Sequence, residues 1–304
     1  MNDQDSSSWD YLKLYFGQQA ERADAFLVAL CRQMAASDAI QSWFYLRYVD
    51  EGGFHVRLRF LAHDDRRQEA VQRVRAECGA LLDRIYDFLP NTYRPMVTLP
   101  DYLTGDVALP KTDPRLRIET DTYVPEADKY GSRAGIRIAE RLFHLSSELA
   151  GIVLADEARN RYSRKTLAPW LMRDAAAAFP ARQHADYWSQ YSLYWLGGDS
   201  AAAQDWLARF RRKAVALREA GQPVCTPEDA MPAEAAAVVR RWRAGLAEAA
   251  RAYRTLADGS DARPDVLSLN FSHLMMNRLG IATLEESMLA ALLHESRDVT
   301  MVAA

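Results

Sequence analysis

The stretch Ser42–Leu61, SWFYLRYVDEGGFHVRLRFL, decides how the rest of the chain is read. Two runs rich in aromatic and aliphatic residues, Ser42–Val49 and Phe54–Leu61, flank Asp50-Glu51-Gly52-Gly53. Such runs favour extended backbone, and glycines tolerate the positive φ of a tight reversal, so the segment predicts an antiparallel hairpin. Side chains alternate along a strand, so Phe54, Val56, Leu58 and Phe60 share a face that must be covered. His55, Arg57 and Arg59 share the other face. Two guanidiniums about 7 Å apart repel unless water or an anion faces them. Two readings stay open: a solvated polar face, or a pocket for a carboxylate or phosphate. Arg47 on the neighbouring strand would extend or neutralise that field.

Outward from the hairpin, Trp9–Phe16 reads as a strand and Gln18–Met34 as a helix with apolar residues at helical spacing. Asp65–Phe88 carries Ala70, Val71, Val74, Cys78, Leu81, Leu82 and Ile85 on one helical stripe. Pro90–Pro114 holds five prolines and reads as a loop, with one short strand at Met96–Leu99. Arg115–Tyr123 is strand-like. The alanine-rich remainder predicts helices over Gly135–Glu157, Lys165–Ala178, Ala181–Trp195, Ser200–Ala220, Ala233–Leu256, Val266–Leu279 and Thr283–Glu295. Strands early, helices late and a short turn between adjacent strands give an α+β class: an N-terminal antiparallel hairpin or sheet, then a predominantly helical C-terminal two-thirds. With no repeat and no long linker, residues 1–304 are expected to form one domain, strand-rich over 9–125 and helical over 126–304.

The 304 residues are 49% hydrophobic and 26% charged with net charge −3, the profile of a soluble globular chain rather than a disordered one. A pI near 6.1 argues against a general nucleic-acid or membrane-surface binder. No apolar run approaches the roughly 20 residues of a membrane span. Met1–Ser8 is polar and acidic, unlike a secretory signal, and three scattered cysteines fit a reducing cytoplasm. The six histidines show no metal-ligand spacing, so no metal site is expected. Glycine-rich phosphate loops and GxSxG elbows are absent.

Two further clusters carry polar groups. Glu126 and Lys129, in Tyr123–Gly131 (YVPEADKYG), are three apart, a spacing for an ion pair or for an arrangement at a helix start. His273 and Asn277 share a helix face in SLNFSHLMMNRLGI, beside Arg278, and Gly280 supplies a stop. His273 reads either as a satisfied core residue or as a catalyst. The aromatic run Tyr187, Trp188, Tyr191, Tyr194 and Trp195 is either core packing or a peptide groove.

Five segments in order, WFYLRY, HVRLR, YVPEADKYG, AERLFHLSS and HLMMNRLGI, resemble the lantibiotic dehydratase C-terminal domain, a family of lantibiotic and thiopeptide-type bacteriocin biosynthesis. The resemblance runs from Trp9 to about His294, and the family includes small stand-alone members. It implies β-elimination of glutamate from glutamylated Ser or Thr of a precursor peptide, leaving dehydroalanine or dehydrobutyrine, after a partner enzyme has installed the ester from glutamyl-tRNA. It implies no organic cofactor or metal. The implied partners are a leader-bearing precursor peptide and a glutamylating dehydratase in the cytoplasm, with no direct nucleic acid or membrane and with oligomerisation open.

Carried over by motif, the implied catalytic residues are Arg57, Arg59, Glu126, Lys129 and His273, with His55, Arg47, Tyr130, Asn277 and Arg278 as substrate-binding candidates. In that scheme the arginines hold carboxylates, His273 transfers a proton, and Lys129 acts as a base only if desolvated or surrounded by cations. Three departures stand out: Lys129 in place of arginine, Ser132 in place of the second glycine of RYGG, and Ser146 in place of the aspartate of FxxDS. Lysine lacks the planar fork of arginine. Those departures keep open the family's pyridine synthases, which join two dehydroalanines by formal [4+2] cycloaddition with release of the leader. A non-catalytic leader-binding subunit is the third reading.

Overall fold

A computed structural model describes residues 9–91, 93, 113–180, 186–256 and 262–296. Four strands are present: β1 (Asp10–Phe16), β2 (Ile40–Asp50), β3 (Gly53–Ala62) and β4 (Leu116–Thr122). Helices α1 (Ala23–Ala36), α2 (Arg67–Asp83) and α3 (Arg133–Ala158) accompany them. Then follow α4 (Arg164–Ala178), α5 (Tyr187–Trp195), α6 (Ala201–Glu219), α7 (Ala233–Thr255), α8 (Pro264–Leu279) and α9 (Thr283–Glu295). The architecture is α+β, as the sequence pattern predicts. The strand expected at Met96–Leu99 and the start of the helix expected at Ala181–Trp195 lie outside the described residues.

The chain divides into two compact units. The described part of the first comprises residues 9–91, 93, 113–159 and 256; that of the second comprises 160–180, 186–255 and 262–296. The first unit therefore takes in α3 as well as all four strands. The strand order is β2-β3-β1-β4, antiparallel throughout. Gly53, at the mouth of the β2–β3 hairpin, has φ +102°, the conformation for which the glycine pair is needed. Leu12, Leu14, Phe16, Val56, Leu58 and Phe60 form one fully buried sheet face. Helix α1 buries Phe26, Leu27 and Leu30, the face its 3–4 residue spacing dictates, each such side chain stabilising the fold by roughly 1.5–3 kcal/mol. Phe16 meets Phe26 edge-on at 4.8 Å.

β2 is an edge strand whose unpaired backbone would invite another chain. Helix α3 covers it. The Trp43 N–H donates to His144 Nδ1 (3.2 Å), and the Tyr45 N–H donates to Ser147 Oγ (3.2 Å). Ser132 caps α3 by accepting from the Gly135 N–H at 2.9 Å, which gives the serine at this departure from RYGG a local role. Ser146, the departure in FxxDS, is buried and bonds back to the Phe143 carbonyl.

In the second unit α4 packs against α7 and α8, and α9 packs against α5 and α6. Trp242 of α7 donates its indole N–H to the Leu171 carbonyl (3.0 Å). Pro264 opens α8 where no intrahelical N–H is needed, and Gly280 ends it at φ +75° in the left-handed conformation expected of a helix stop. Among the described residues no helix is long and apolar enough to cross a membrane.

Candidate functional site

The register of β3 defines the first site. Opposed residues on antiparallel strands share a face, so three rungs cross the sheet beneath the polar side of β3. They are Tyr48–His55–Tyr15–Arg117, Leu46–Arg57–Lys13–Glu119 and Phe44–Arg59–Tyr11–Asp121. The face carries four cations, and two of them are neutralised by acids of β4. Lys13 lies 2.6 Å from Asp121, and Arg117 lies 2.6 Å from Glu119. Arg57 and Arg59 have no carboxylate in ion-pair distance among the described residues.

Aromatic rings take the place of carboxylates. The Arg57 guanidinium lies 3.3 Å from the Tyr48 ring centre. Arg59 lies 4.5 Å from Tyr11, 5.0 Å from Tyr123 and 5.5 Å from Phe44. It is 9% exposed, and its Nε has no hydrogen-bond acceptor among the described residues. Burial pulls its pKa below the ordinary arginine value, partly offset by the Tyr11 and Tyr123 hydroxyls, while Arg57 adds to the depression and Glu126 opposes it. Tyr123, beyond the end of β4, is held by a hydrogen bond to Glu140 of α3, which Trp9 also contacts. Burial raises the pKa of both Tyr123 and Glu140.

The solvated-face reading holds only in part: His55 and Arg59 on this face are buried, while Arg57 is half-buried. His55 is fully buried between Tyr15 and Tyr48, at 4.5 and 5.5 Å between ring centres. Its Nδ1–H donates to the Gly53 carbonyl and its Nε2 accepts from Arg57 Nε, the neutral tautomer, with burial lowering its pKa. It therefore supports Arg57 rather than touching a substrate. Arg47 is also corrected. Opposite Val56, it lies on the other sheet face and pairs with Asp24 of α1 at 2.6 Å. One residue of register decides which face a strand residue occupies.

The segment before α3 forms a hydrogen-bonded turn, with the Lys129 and Tyr130 N–H groups donating to the Glu126 carbonyl. Glu126 and Lys129 are 3.7 Å apart, as their spacing predicts, but their side chains are 65% and 38% exposed. The burial that a base role for Lys129 requires is absent, and its charged neighbour is an acid. Tyr130 is wholly buried against Phe143 and cannot contact a substrate directly. The first unit thus groups Arg57 and Arg59 with Tyr11, Phe44, Tyr48, Tyr123 and, electrostatically, Glu126. The sequence reading missed these rings and Glu140, which only the pairing register reveals.

In the second unit, His273 on α8 lies with its Nδ1 3.0 Å from Glu286 Oε2 on α9. The Tyr191 hydroxyl of α5 donates to the other carboxylate oxygen, and burial together with Glu286 raises the Tyr191 pKa. The Trp195 ring stacks on His273 at 4.0 Å and 28°. The aromatic run thus divides: Tyr191 is core, Trp195 flanks His273, and Tyr194 is exposed. Asn277 is half-buried on the same helix. Arg278 is fully buried and bonds the Leu274 carbonyl, so it is a structural residue rather than a substrate contact. Among the described residues no group of three His, Cys, Asp or Glu gathers as metal ligands.

A family model described as lantibiotic biosynthesis dehydratase C-terminal matches residues 9–296. Among solved structures, the tRNA-dependent lantibiotic dehydratase MibB from Microbispora sp. 107891 aligns over 97% of this chain with TM-score 0.62 and 20% identity. The chain spans 28% of that dehydratase. The pyridine synthase TbtD from thiomuracin biosynthesis aligns over 95% of this chain and 97% of its own, with TM-score 0.65 and 18% identity. TsrL aligns over 95% and 93%, with TM-score 0.55 and 15% identity. At these identities the likeness is one of fold. No curated protein matches the sequence.

Proposed function

The chain belongs to the lantibiotic biosynthesis dehydratase C-terminal family, and from that premise we propose that it eliminates glutamate from glutamylated Ser or Thr of a precursor peptide. The observation that carries this reading is the pair of guanidiniums on one sheet face, both without a carboxylate among the described residues, beside two cations that have theirs. A cation buried among aromatic rings is costly unless an anion completes it. The glutamyl ester brings a carboxylate and releases another. In the reaction the Cα proton of the esterified residue is removed, the Cβ–O bond breaks, and glutamate departs with the bonding pair. Arg57 and Arg59 hold the carboxylates by charge-assisted hydrogen bonds and stabilise the charge that develops on the leaving oxygen. By the family's motif, His273 is the proton-transfer group. The reading carries with it a leader-bearing precursor peptide, a glutamylating partner and a cytoplasmic setting.

A second reading is favoured by Lys129, whose exposed, singly paired ammonium is no carboxylate fork. It is formal [4+2] cycloaddition of two dehydroalanines, as in a pyridine synthase. Mass spectrometry of two synthetic leader-bearing peptides separates the two. Loss of one glutamic acid from a peptide bearing glutamylated serine, abolished in Arg57→Ala, is the expected result. Release of the leader from a peptide bearing two dehydroalanines, with the glutamylated peptide untouched, establishes cycloaddition. No change in either peptide, with the leader bound, leaves a binding subunit.

A further inference from the structure

His273 is the one member of its cluster with access to solvent. Its side chain is 23% exposed, Glu286 is wholly buried, and Tyr191 is buried to 1%. A buried carboxylate is costly unless all its lone pairs are used. Here Oε1 accepts from the Tyr191 hydroxyl and Oε2 faces His273 Nδ1 at 3.0 Å. Tyr191 in turn is locked, because α9 and α5 are tied by the Ser287 hydroxyl donating to the Ser192 carbonyl at 3.1 Å. The arrangement is a relay in which each member fixes the next, and its only solvent-facing end is an imidazole.

A carboxylate facing Nδ1 accepts a proton there, which holds a neutral imidazole as the Nδ1–H tautomer. The remaining ring nitrogen, Nε2, has no partner among the described residues. Stacking on Trp195 at 28° restricts rotation of the ring, so the direction of its Nε2 lone pair is fixed along with its tautomer. A rigid, single-tautomer base is what proton abstraction from a weak carbon acid needs, since a disordered ring is in the reactive orientation for only part of the time.

We propose that Glu286 is the positioning residue of His273, seated by Tyr191, and that it makes Nε2 the atom that exchanges the substrate proton. The proposal deepens the elimination reading and rests on it for the identity of that proton. Glu286 does not touch substrate, because it is sealed beneath the histidine.

The test uses the full chain and has two readouts. The first is ¹⁵N NMR of histidine-labelled protein, with the His273 signal assigned by its absence in His273→Gln. Wild type shows the Nδ1–H tautomer, and Glu286→Gln, which places an amide where the carboxylate was, loses it. The second is turnover of the leader-bearing peptide with glutamylated serine. Glu286→Gln lowers kcat by about 100-fold with KM changed less than about threefold, and Glu286→Asp restores part of kcat. A Gln variant that keeps both the tautomer and the wild-type kcat overturns the proposal. So does a variant that loses the tautomer yet turns over normally, and in that case elimination itself still stands. If wild type leaves the glutamylated peptide untouched, the elimination reading fails, and the NMR arm alone decides whether Glu286 sets the His273 tautomer. Tyr191→Phe guards against misfolding as the cause, since it keeps the ring and is expected to reproduce the tautomer change in milder form.

Discussion

Replacing Arg59 by methionine is expected to make the protein more stable and inactive at once. The guanidinium is 9% exposed, and its Nε donates to nothing among the described residues. Taking such an ion out of water costs several kcal/mol, and a buried carboxylate that would offset this is missing. Three rings at 4.5, 5.0 and 5.5 Å return about 0.5–2 kcal/mol each. Methionine fills a similar volume, has no charge to desolvate and makes favourable sulfur contacts with the same rings. Exchanging a buried ion for an apolar side chain commonly gains about 1–4 kcal/mol. A gain of about 2 kcal/mol raises the unfolding midpoint by roughly 3 °C for a chain of 304 residues.

Differential scanning calorimetry of Arg59→Met beside wild type reads the first half of this prediction. Mass spectrometry of the glutamylated peptide reads the second, with kcat/KM falling by at least about 100-fold as a charge-stabilising donor is lost. A lower midpoint in Arg59→Met refutes the reasoning, because it means that the aromatic cage needs the cation for its own packing. Retained turnover refutes it from the other side, since Arg59 would then not be the group that holds the carboxylate.

Other expectations follow from the same geometry. Arg47→Met removes the 2.6 Å ion pair to Asp24 of α1 and is expected to destabilise the fold by about 3–5 kcal/mol in thermal unfolding, without altering KM for the peptide. A changed KM at unchanged stability would return Arg47 to the substrate. His55 is held neutral in the folded state by burial, whereas the unfolded chain takes up a proton near the ordinary value of 6.5. Its contribution to stability is therefore full above that pH and is lost as pH falls through the window beneath it. Unfolding midpoints measured between pH 7 and 5 should fall less steeply in His55→Gln than in wild type, and equal slopes would remove His55 from the account. Lys129→Arg restores a planar fork beside Glu126 and is expected to raise kcat/KM for elimination by up to about tenfold. An unchanged value means that this exposed pair has no part in the clamp.

The elements themselves were legible because each rests on a local signal. Glycine at the hairpin mouth, the 3–4 periodicity of α1 and the Gly280 stop are properties of neighbouring residues, and each predicted a feature the chain has. Burial of the polar face was not legible in the same way. Alternation along β3 assigns His55, Arg57 and Arg59 to one side, but whether that side meets water depends on β1 and β4, which pair with it or beside it from distant parts of the chain. Arg47 failed for a related reason. Its face follows from its partner Val56, and no pattern within β2 alone states that partner.

The same dependence explains why the decisive property of the site lies outside any motif. A motif reports that Arg57 and Arg59 are present, but an arginine acquires a function from what it lacks. Lys13 and Arg117 belong to the same sheet face and have the same sign, yet Asp121 and Glu119 of β4 satisfy them. The residues opposite Arg57 and Arg59 on β2 are Leu46 and Phe44, which have no charge to offer. On the β1 side stand Lys13 and Tyr11, and only the first of these is charged, with the wrong sign. Among the described residues the register of four strands thus leaves two positive charges without a carboxylate, which is what the proposed elimination asks of them, and a shift of any one strand by a single residue would change which cations are satisfied.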